Sequence, residues 1–220
     1  MMKMQLYGHP FSSYTQKALI ALYEHGVAFD YRVIGPDDPA PGRELAALWP
    51  LGKFPVLVDA GATLIEASII IEHLDLNHAG AARLIPAEPR AALGVRMLDR
   101  VFDNYVMTPV QAMVGDVLRP EGARDALGVD RAKAMLDTIY GWLDGVMDGR
   151  IWAAGGDFSL ADCAAAPALF YADWAHPIEA RFGHLRAYRA RLLARPSFAR
   201  AVDEARPYRA FFPLGAPDRD

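Results

Sequence analysis

The stretch Gly52-Lys53-Phe54-Pro55-Val56-Leu57 places a proline directly before a short apolar run. A proline is tolerated at the first residue of a strand, because that residue need not donate a hydrogen bond to the ladder. A second apolar run, Thr63–Ile65, follows Asp59-Ala60-Gly61-Ala62, which is typical of a hairpin turn. Glu66 then precedes a run that predicts a helix over Ala67–Leu76. The stretch therefore predicts a β-hairpin followed by a helix.

The residues before this stretch alternate strand and helix signals. Met4–Tyr7 predicts a strand, and residues 12–25 predict a helix because apolar side chains recur four positions apart. Phe29–Ile34, rich in aromatic and β-branched residues, predicts a second strand. Residues 35–42 are rich in proline and glycine and predict a loop, before a short helix over Glu44–Leu48. The expected order is βαβ, a short helix and then ββα.

The rest of the chain reads as helix. Residues 77–89 contain Gly80, Pro86 and Pro89 without a sustained period, so we expect a linker there, with domains over residues 1–78 and 88–220. Ala91–Val117 predicts one long helix with a kink at Pro109. The further expected helices are Val129–Met147, Leu160–Trp174, Glu179–Ala194 and Ser197–Ala205.

Composition excludes several classes of protein. The 220 residues, 53% of them hydrophobic, can bury the core of one or two domains. The net charge of −4 argues against a nucleic-acid partner, and apolar runs such as Ala164–Tyr171 are too short to span a bilayer. Met1–Met4 leads into a strand without a long apolar signal segment, and the single cysteine, Cys163, excludes an internal disulfide framework. We therefore expect a cytoplasmic protein with no membrane partner.

Ser12 and Ser13 stand between the first strand and the first helix. A hydroxyl at a helix N-terminus normally caps it. Alternatively, one hydroxyl donates a hydrogen bond to a bound thiolate. A charge-assisted bond contributes about 1.5–3 kcal/mol and a helix N-terminus about 0.3–2 kcal/mol. Since one pKa unit equals about 1.4 kcal/mol, together they would lower a thiol pKa by about one to three units.

Two further motifs allow either a structural or a ligand-binding interpretation. Pro55 is an ordinary strand start, or the Phe54-Pro55 bond is cis and leaves the Val56 backbone free to pair with an extended peptide. Glu66 is a favourable acid in the first helical turn, or it pairs with the ammonium of a ligand whose carboxylate binds nearby backbone N–H groups.

Other polar and aromatic residues are assigned mainly to structure. Ser159–Asp162 fits a capping box, and Cys163 beside it is a core residue. The six histidines lack the spacing of H-E-x-x-H or a related motif, so we expect no metal site. His9 is a loop residue or a wall of a substrate pocket. The other candidates for an apolar pocket, each equally a core residue, are Tyr105, Met113, Tyr171, Trp174, Phe211 and Phe212.

Taken together, these residues resemble a cytosolic glutathione transferase of the serine type, similar to theta, zeta and bacterial members. The motifs that carry the resemblance are, in order, Leu6–Gly8 with Ser12-Ser13, Trp49–Leu57, Thr63–Ile70, Phe158–Asp162 and Arg195–Phe198. The resemblance implies an N-terminal thioredoxin-like α/β domain and a C-terminal all-helical bundle domain. It also implies a homodimer that conjugates glutathione, its co-substrate, to small hydrophobic electrophiles in detoxification.

The resemblance also implies roles for individual residues. Ser12 would stabilise the glutathione thiolate with Ser13 as its helper, while Tyr14 and Tyr7 are competing hydroxyls. Phe54 and the cis-proline Pro55 would position Val56, which would hold the cysteinyl backbone of glutathione.

The resemblance implies that other residues bind the charged ends of glutathione. Glu66 would contact the γ-glutamyl group, and Lys53 would reach the glycyl carboxylate. Family members usually have a serine after this acid, but here the residue is Ala67. Its backbone N–H remains and Ser68 is a candidate substitute for the missing hydroxyl, but we still expect weaker glutathione binding.

Two rival functions use the same fold. The first is a glutathione-dependent isomerase, such as one acting on maleylacetoacetate, which would need cationic groups in the substrate pocket. The second is a non-catalytic module that keeps the fold for binding or regulation, which Ala67 favours.

Overall fold

The computed structural model describes residues 3–78 and 83–220. The strands within these residues are β1 (Gln5–Gly8), β2 (Asp30–Val33), β3 (Val56–Asp59) and β4 (Ala62–Ile65). The α-helices are α1 (Ser13–His25), α2 (Ala40–Leu48), α3 (Ala67–Asn77), α4 (Pro89–Val101), α5 (Thr108–Val117), α6 (Ala126–Met147), α7 (Leu160–Ala175), α8 (Gly183–Leu193) and α9 (Pro196–Ala205).

The four strands form one sheet in the order β2-β1-β3-β4. β1 pairs with β2 in parallel and with β3 antiparallel, and Leu6 faces Leu57 across the latter pair. β3 and β4 form the predicted antiparallel hairpin. The predicted order of βαβ, a short helix and ββα is confirmed, and a helical half follows it.

Helix α1 lies at the junction of the two halves. It packs against α3 of the sheet-containing half and against α7 and α9 of the helical half. Ser12 caps its start, and Gly26 ends it in the left-handed conformation with φ 65°, as expected for a glycine in this position. Residues 18–22 are fully buried. The position of α1 therefore depends on both halves of the molecule.

Several helix boundaries differ from the sequence prediction, and α6, for example, begins at Ala126 rather than at Val129. α2 begins at Ala40, inside the predicted loop 35–42, because Pro41 fits the first helical turn, where its missing N–H is not needed. α8 begins at Gly183 rather than at Glu179.

The predicted long helix over Ala91–Val117 is divided by a π-helical stretch, Phe102–Met107. The amide of Thr108 bonds to the carbonyl of Asp103, five residues back, so the turn is wider just before Pro109. Pro109 lies in the first turn of α5, where it needs no hydrogen-bond donor.

One hydrophobic core extends through both halves, and a small second cluster lies on the other face of the sheet. Cys163 is fully buried in the main core, and burial raises the pKa of its thiol. Among the described residues, no helix combines the length and apolar character needed to cross a membrane. The predicted linker includes residues 79–82, which lie outside the described ranges, so the division into domains 1–78 and 88–220 remains a prediction.

Candidate functional site

A polar cleft of about 530 Å³ lies between the two halves of the molecule. It brings together six residues selected from the sequence, namely Ser12, Lys53, Phe54, Pro55, Glu66 and Ala67. The other lining residues are Tyr14, Trp49, Gly52, Ile65, Arg100, Asp103, Asn104 and Gln111. Residues distant in the chain therefore converge on one cleft with both positive and negative charges.

An apolar cavity of about 380 Å³ adjoins this cleft. Its walls come from the start of α1, from α5 and the residue before it, and from the C-terminal turn Phe211–Pro213. Four residues line both the cleft and the cavity, namely Ser12, Tyr14, Phe54 and Gln111. The two spaces thus share a wall that carries the Ser12 hydroxyl.

Ser12 caps α1 from an extended backbone conformation with φ −87° and ψ 125°. Its Oγ accepts a hydrogen bond from the Thr15 amide at 3.3 Å. A serine hydroxyl has one donor and two acceptor positions, so this cap leaves the O–H bond free to donate. Capping and donation to a thiolate are therefore compatible. Ser13 is buried and lines the apolar cavity but not the cleft.

Two tyrosines compete with Ser12 as hydroxyl donors. Tyr14 lines both spaces, and burial, with a smaller contribution from Asp103, raises its pKa to about 12. Its phenol therefore stays protonated at neutral pH and can donate a hydrogen bond. Tyr7 lines neither space and instead donates to Glu44 Oε2 at 3.0 Å. Burial, followed by the bond to Glu44, raises its pKa.

The peptide bond between Phe54 and Pro55 is cis, as the resemblance implies. Phe54 lines both spaces, whereas the side chain of Val56 is fully buried in the smaller hydrophobic cluster. Lys53 is exposed at the mouth of the cleft. The binding roles of Lys53 and Val56 remain predictions.

Glu66 has an unusual backbone conformation at the start of α3, with φ 69° and ψ 118°. A residue with a Cβ in this region costs about 1–3 kcal/mol, and such residues concentrate at functional sites. The Glu66 side chain is exposed and makes no capping bond to α3. The first N–H groups of α3 lack intrahelical partners, and a helix N-terminus of this kind favours an anion.

The structure corrects the expected role of Ser68. Its hydroxyl does not line the cleft but joins a buried ionic cluster, where it lies 2.9 Å from Lys17 Nζ and 2.9 Å from Asp99 Oδ2. Lys17 also contacts Asp99 at 2.5 Å and Asp103 at 2.8 Å. Because these partners already engage the Ser68 hydroxyl, it does not replace the hydroxyl missing at Ala67.

Sequence reasoning missed the contribution of the π-helical stretch and the helices around it to the cleft. Arg100, Asp103, Asn104 and Gln111 line it from the helical half. The available signal was a polar run at residues 99, 100, 103 and 104 within an otherwise apolar helix. The guanidinium of Arg100 binds Asp99 at 2.7 Å and Asp103 at 2.5 Å. Burial raises the pKa of Asp103, and Lys17 opposes that shift.

Four of the seven candidates for the apolar pocket line the cavity, namely His9, Tyr171, Phe211 and Phe212. His9 Nδ1 accepts from the Phe11 amide at 3.1 Å, and burial lowers the pKa of the ring. The neutral ring therefore carries its proton on Nε2. Tyr171 donates to the Phe11 carbonyl at 2.9 Å and accepts from Gln16 at 3.1 Å. These bonds fix the wall opposite α5.

The other three predicted pocket residues lie elsewhere. Tyr105 is 52% exposed and borders a separate apolar depression with Trp142. Met113 is buried in the core, and Trp174 packs against Phe170 and Phe212 without lining the cavity. Side-chain direction on α5, α7 and the π-helical stretch decides these placements, and helical spacing alone did not reveal it.

Comparison with known proteins identifies the family. Residues 6–82 match the N-terminal domain of glutathione S-transferase, and residues 126–191 match its C-terminal domain. A stringent starvation protein A homolog from Coxiella burnetii is 30% identical over 168 residues, which are 76% of this chain and 75% of that protein.

Two solved structures have the same architecture. A glutathione S-transferase from Methylobacillus flagellatus KT with glutathione bound has a TM-score of 0.81 and 27% identity, covering 90% of this chain and 98% of that one. A glutathione S-transferase from Methylobacterium radiotolerans JCM 2831, in complex with glutathione sulfonate, has a TM-score of 0.78 and 30% identity, covering 91% and 95%. With its thioredoxin-like half followed by a helical half, this chain belongs to the cytosolic glutathione transferase superfamily.

Proposed function

We propose that this protein is a serine-type glutathione transferase, which adds the glutathione thiolate to a small hydrophobic electrophile. The observation that carries the proposal is the wall shared by the polar cleft and the apolar cavity, with Ser12 at its edge. A peptide thiol bound in the cleft would present its sulfur at this wall. An apolar electrophile in the adjoining cavity would then lie next to the sulfur, which is the proximity that a two-substrate reaction requires.

The charges in the cleft suit the two ends of glutathione. The Glu66 carboxylate would bind the γ-glutamyl ammonium, and the N–H groups at the start of α3 would bind the neighbouring carboxylate. Lys53 would pair with the glycyl carboxylate, and the Val56 backbone would hold the cysteinyl residue. The left-handed backbone of Glu66 supports this proposal, because it turns an exposed acid into position without using it as a helix cap.

Ser12 would act as a hydrogen-bond donor rather than as a base. The thiol proton leaves to solvent, and the hydroxyl and the α1 N-terminus stabilise the resulting thiolate. The sulfur then forms a bond to the electrophilic carbon, either with departure of a leaving group or by addition across a double bond. Tyr14, protonated and on the same wall, is a second donor to the sulfur or to the negative charge that forms on the electrophile.

The test is calorimetric titration with glutathione, combined with thiolate absorbance against pH for the bound thiol. We expect binding to the wild type with the thiol pKa lowered by about one to three units. Ser12→Ala should retain binding and lose most of this shift, whereas Tyr7→Phe, outside the cleft, should retain both. An equal shift in the wild type and Ser12→Ala would transfer the role to Tyr14 or Ser13. Absence of binding would contradict the enzymatic proposal.

A second candidate, a non-catalytic binding module, is favoured by one observation. Position 67 has no hydroxyl, and the Ser68 hydroxyl is engaged by Lys17 and Asp99. If weak glutathione binding has this cause, Ala67→Ser should tighten it. Absence of glutathione binding in both the wild type and Ala67→Ser would support the non-catalytic module.

The isomerase alternative has less support from the cavity. No lysine or arginine is among the described residues that line the apolar cavity, so it suits an uncharged electrophile. Rapid turnover of a dicarboxylate substrate would contradict this assignment. The homodimer, the detoxification role and the cytoplasmic location remain proposals that rest on the family alone.

A further inference from the structure

A second polar cluster lies at the end of α3 that is remote from the cleft. It consists of Asp59, the last residue of β3, His73 on α3 and His78, the C-terminal cap of α3. Asp59 Oδ2 lies 2.9 Å from His73 Nε2 and 2.6 Å from His78 Nε2. Since an α-helix rises 1.5 Å per residue, His78 is about 18 Å along the axis from Glu66. The cluster is therefore separate from the proposed glutathione site.

We propose that Asp59, His73 and His78 form a binding site for a divalent transition metal, with Zn²⁺ as the ion that fits best. Two imidazole nitrogens and one carboxylate oxygen are donors that Zn²⁺ prefers, whereas Mg²⁺ and Ca²⁺ prefer oxygen donors alone. Three protein ligands leave the fourth tetrahedral position for water. The spacing of histidines along the chain predicted no metal site, because the carboxylate ligand comes from a strand fourteen residues before His73.

The present distances are close to those of a metal-bound site. The three ligand atoms lie within 4.8 Å of one another. A tetrahedral zinc ion with bonds of about 2.0–2.2 Å separates neighbouring ligand atoms by about 3.3–3.6 Å. The two oxygen–nitrogen distances are shorter because hydrogen bonds now join these atoms. A metal would bind the Nε2 lone pair of each neutral ring, whose single proton would then be on Nδ1, and side-chain shifts of about 1 Å would complete the site.

The surroundings hold the ligands in place and leave them accessible. Asp59 leads into a tight turn in which Ala60 and Gly61 both have positive φ, which fixes where the strand ends. The Asn77 amide nitrogen lies 3.1 Å from His73 Nδ1 and 3.0 Å from the His73 carbonyl, so it orients the ring. In the metal-free state this contact places the His73 proton on Nε2; a metal at Nε2 would move the proton to Nδ1, where the carboxamide oxygen of Asn77 would accept it after a turn of the amide group. The ligand side chains are 14%, 18% and 30% exposed, which leaves a path for the ion.

The bound metal would join the β3–β4 hairpin to the C-terminal end of α3. Both elements also build the cleft, through Ile65 at the end of the hairpin, Glu66 at the N-cap of α3 and Ala67 at its first residue. The competing interpretation is a His–Asp–His hydrogen-bond cluster that binds no metal. The two interpretations differ in one measurable property, the stoichiometric binding of Zn²⁺.

The experiment uses the full chain without a histidine tag, stripped of metal with a chelator that is then removed. Zn²⁺ alone is titrated by calorimetry into the wild type, Asp59→Asn, His78→Gln and the control His184→Gln. His184 is an exposed histidine whose nearest carboxylate, Asp148, lies at 3.9 Å. We expect one Zn²⁺ per wild-type chain, affinity at least tenfold weaker in Asp59→Asn and His78→Gln, and unchanged affinity in His184→Gln.

A second measurement needs no variant. NMR of the wild-type imidazole rings during Zn²⁺ addition should shift the signals of His73 and His78 and leave those of His184 in place. Absence of stoichiometric binding would overturn the proposal. So would equal affinity in the wild type and Asp59→Asn, or shifts confined to other histidines. This test does not depend on glutathione, so its outcome is independent of the proposed transferase activity.

Discussion

Helices α1 and α7 both begin with a serine cap, Ser12 and Ser159. The two caps differ in how many further hydrogen bonds their polar groups can form. At α7, Asp162 accepts bonds from the Ser159 amide and hydroxyl, the Ala153 amide and the Tyr188 hydroxyl, at 2.6–3.0 Å. At α1, Ser12 accepts one bond of 3.3 Å and lines two cavities. A serine at a helix N-terminus therefore has a structural role at α7, where the hydrogen bonds to Asp162 are all made within the protein. At α1 the serine hydroxyl can still donate a hydrogen bond to a ligand, because it lies beside a cavity.

Removal of the saturated carboxylate should have the largest effect. Asp162→Ala leaves two backbone amides and two hydroxyls without their buried acceptor. We expect a loss of about 3–5 kcal/mol in the free energy of unfolding, measured by urea denaturation. Asp157→Ala, an exposed aspartate just before this cap, is the matched control and should change stability by less than about 0.5 kcal/mol. A loss of under about 1 kcal/mol in Asp162→Ala would remove the contrast between the caps.

Glu24 extends the comparison to the buried side of α1. Its carboxylate accepts two bonds of 2.7 Å from Arg195 and one of 2.5 Å from Ser197. Burial raises the pKa of Glu24, but the bonds from Arg195 and Ser197 outweigh it and hold the pKa below its usual value. Glu24→Gln should cost about 2 kcal/mol at pH 7.

The cost of Glu24→Gln should depend on pH in one direction. Because the folded state lowers this pKa, the stabilisation is complete above the unfolded value of about 4.3 and declines as pH falls through the folded value. Urea denaturation should therefore show a constant difference between wild type and variant above about pH 5.5, and a smaller one below about pH 4. Glu179→Gln, in an exposed pair with Arg181, should change little at any pH. A pH-independent difference for Glu24→Gln would argue against a saturated carboxylate.

Ser159→Ala tests the serine of the saturated cap directly. It removes one of the four donors to Asp162 and leaves the other three, so we expect a loss of about 1 kcal/mol in the free energy of unfolding. The thiol pKa of bound glutathione should be unchanged, because Ser159 lines neither the cleft nor the apolar cavity. A change in that pKa would indicate that the two caps are coupled through the core.

Ser12→Ala should have the smallest effect on stability. Its capping bond is long, so we expect a loss of about 0.5 kcal/mol. Ser12→Ala should instead raise the thiol pKa of bound glutathione. Ser159→Ala is expected to show the opposite pattern, a loss of stability with no change in this pKa. A large stability loss in Ser12→Ala without a change in the thiol pKa would show that the Ser12 cap is purely structural, like the cap of α7.

The comparison also shows which features of the fold and of the site can be predicted from the sequence. Local signals sufficed for the hairpin, for the cap of α1 and for the motifs that indicate the family. They did not reveal the direction of Tyr105 or Trp174, because a helical period shows that a residue is buried or exposed but not what it faces. Nor did they reveal that Lys17 would engage Ser68 and Asp99, since these contacts join α1 to α3 and to α4. The carboxylate between His73 and His78 was missed for the same reason.

The wall between the cleft and the apolar cavity has a consequence for the end of the proposed reaction cycle. Each substrate occupies one of the two spaces, but the conjugate occupies both, so its two parts bind with a high effective concentration. The product would therefore be held more tightly than either reactant, and its departure would limit turnover. Phe211–Pro213 forms part of the wall of the cavity. These few residues would then govern how fast the product is released, although we assign them no role in activating the thiol.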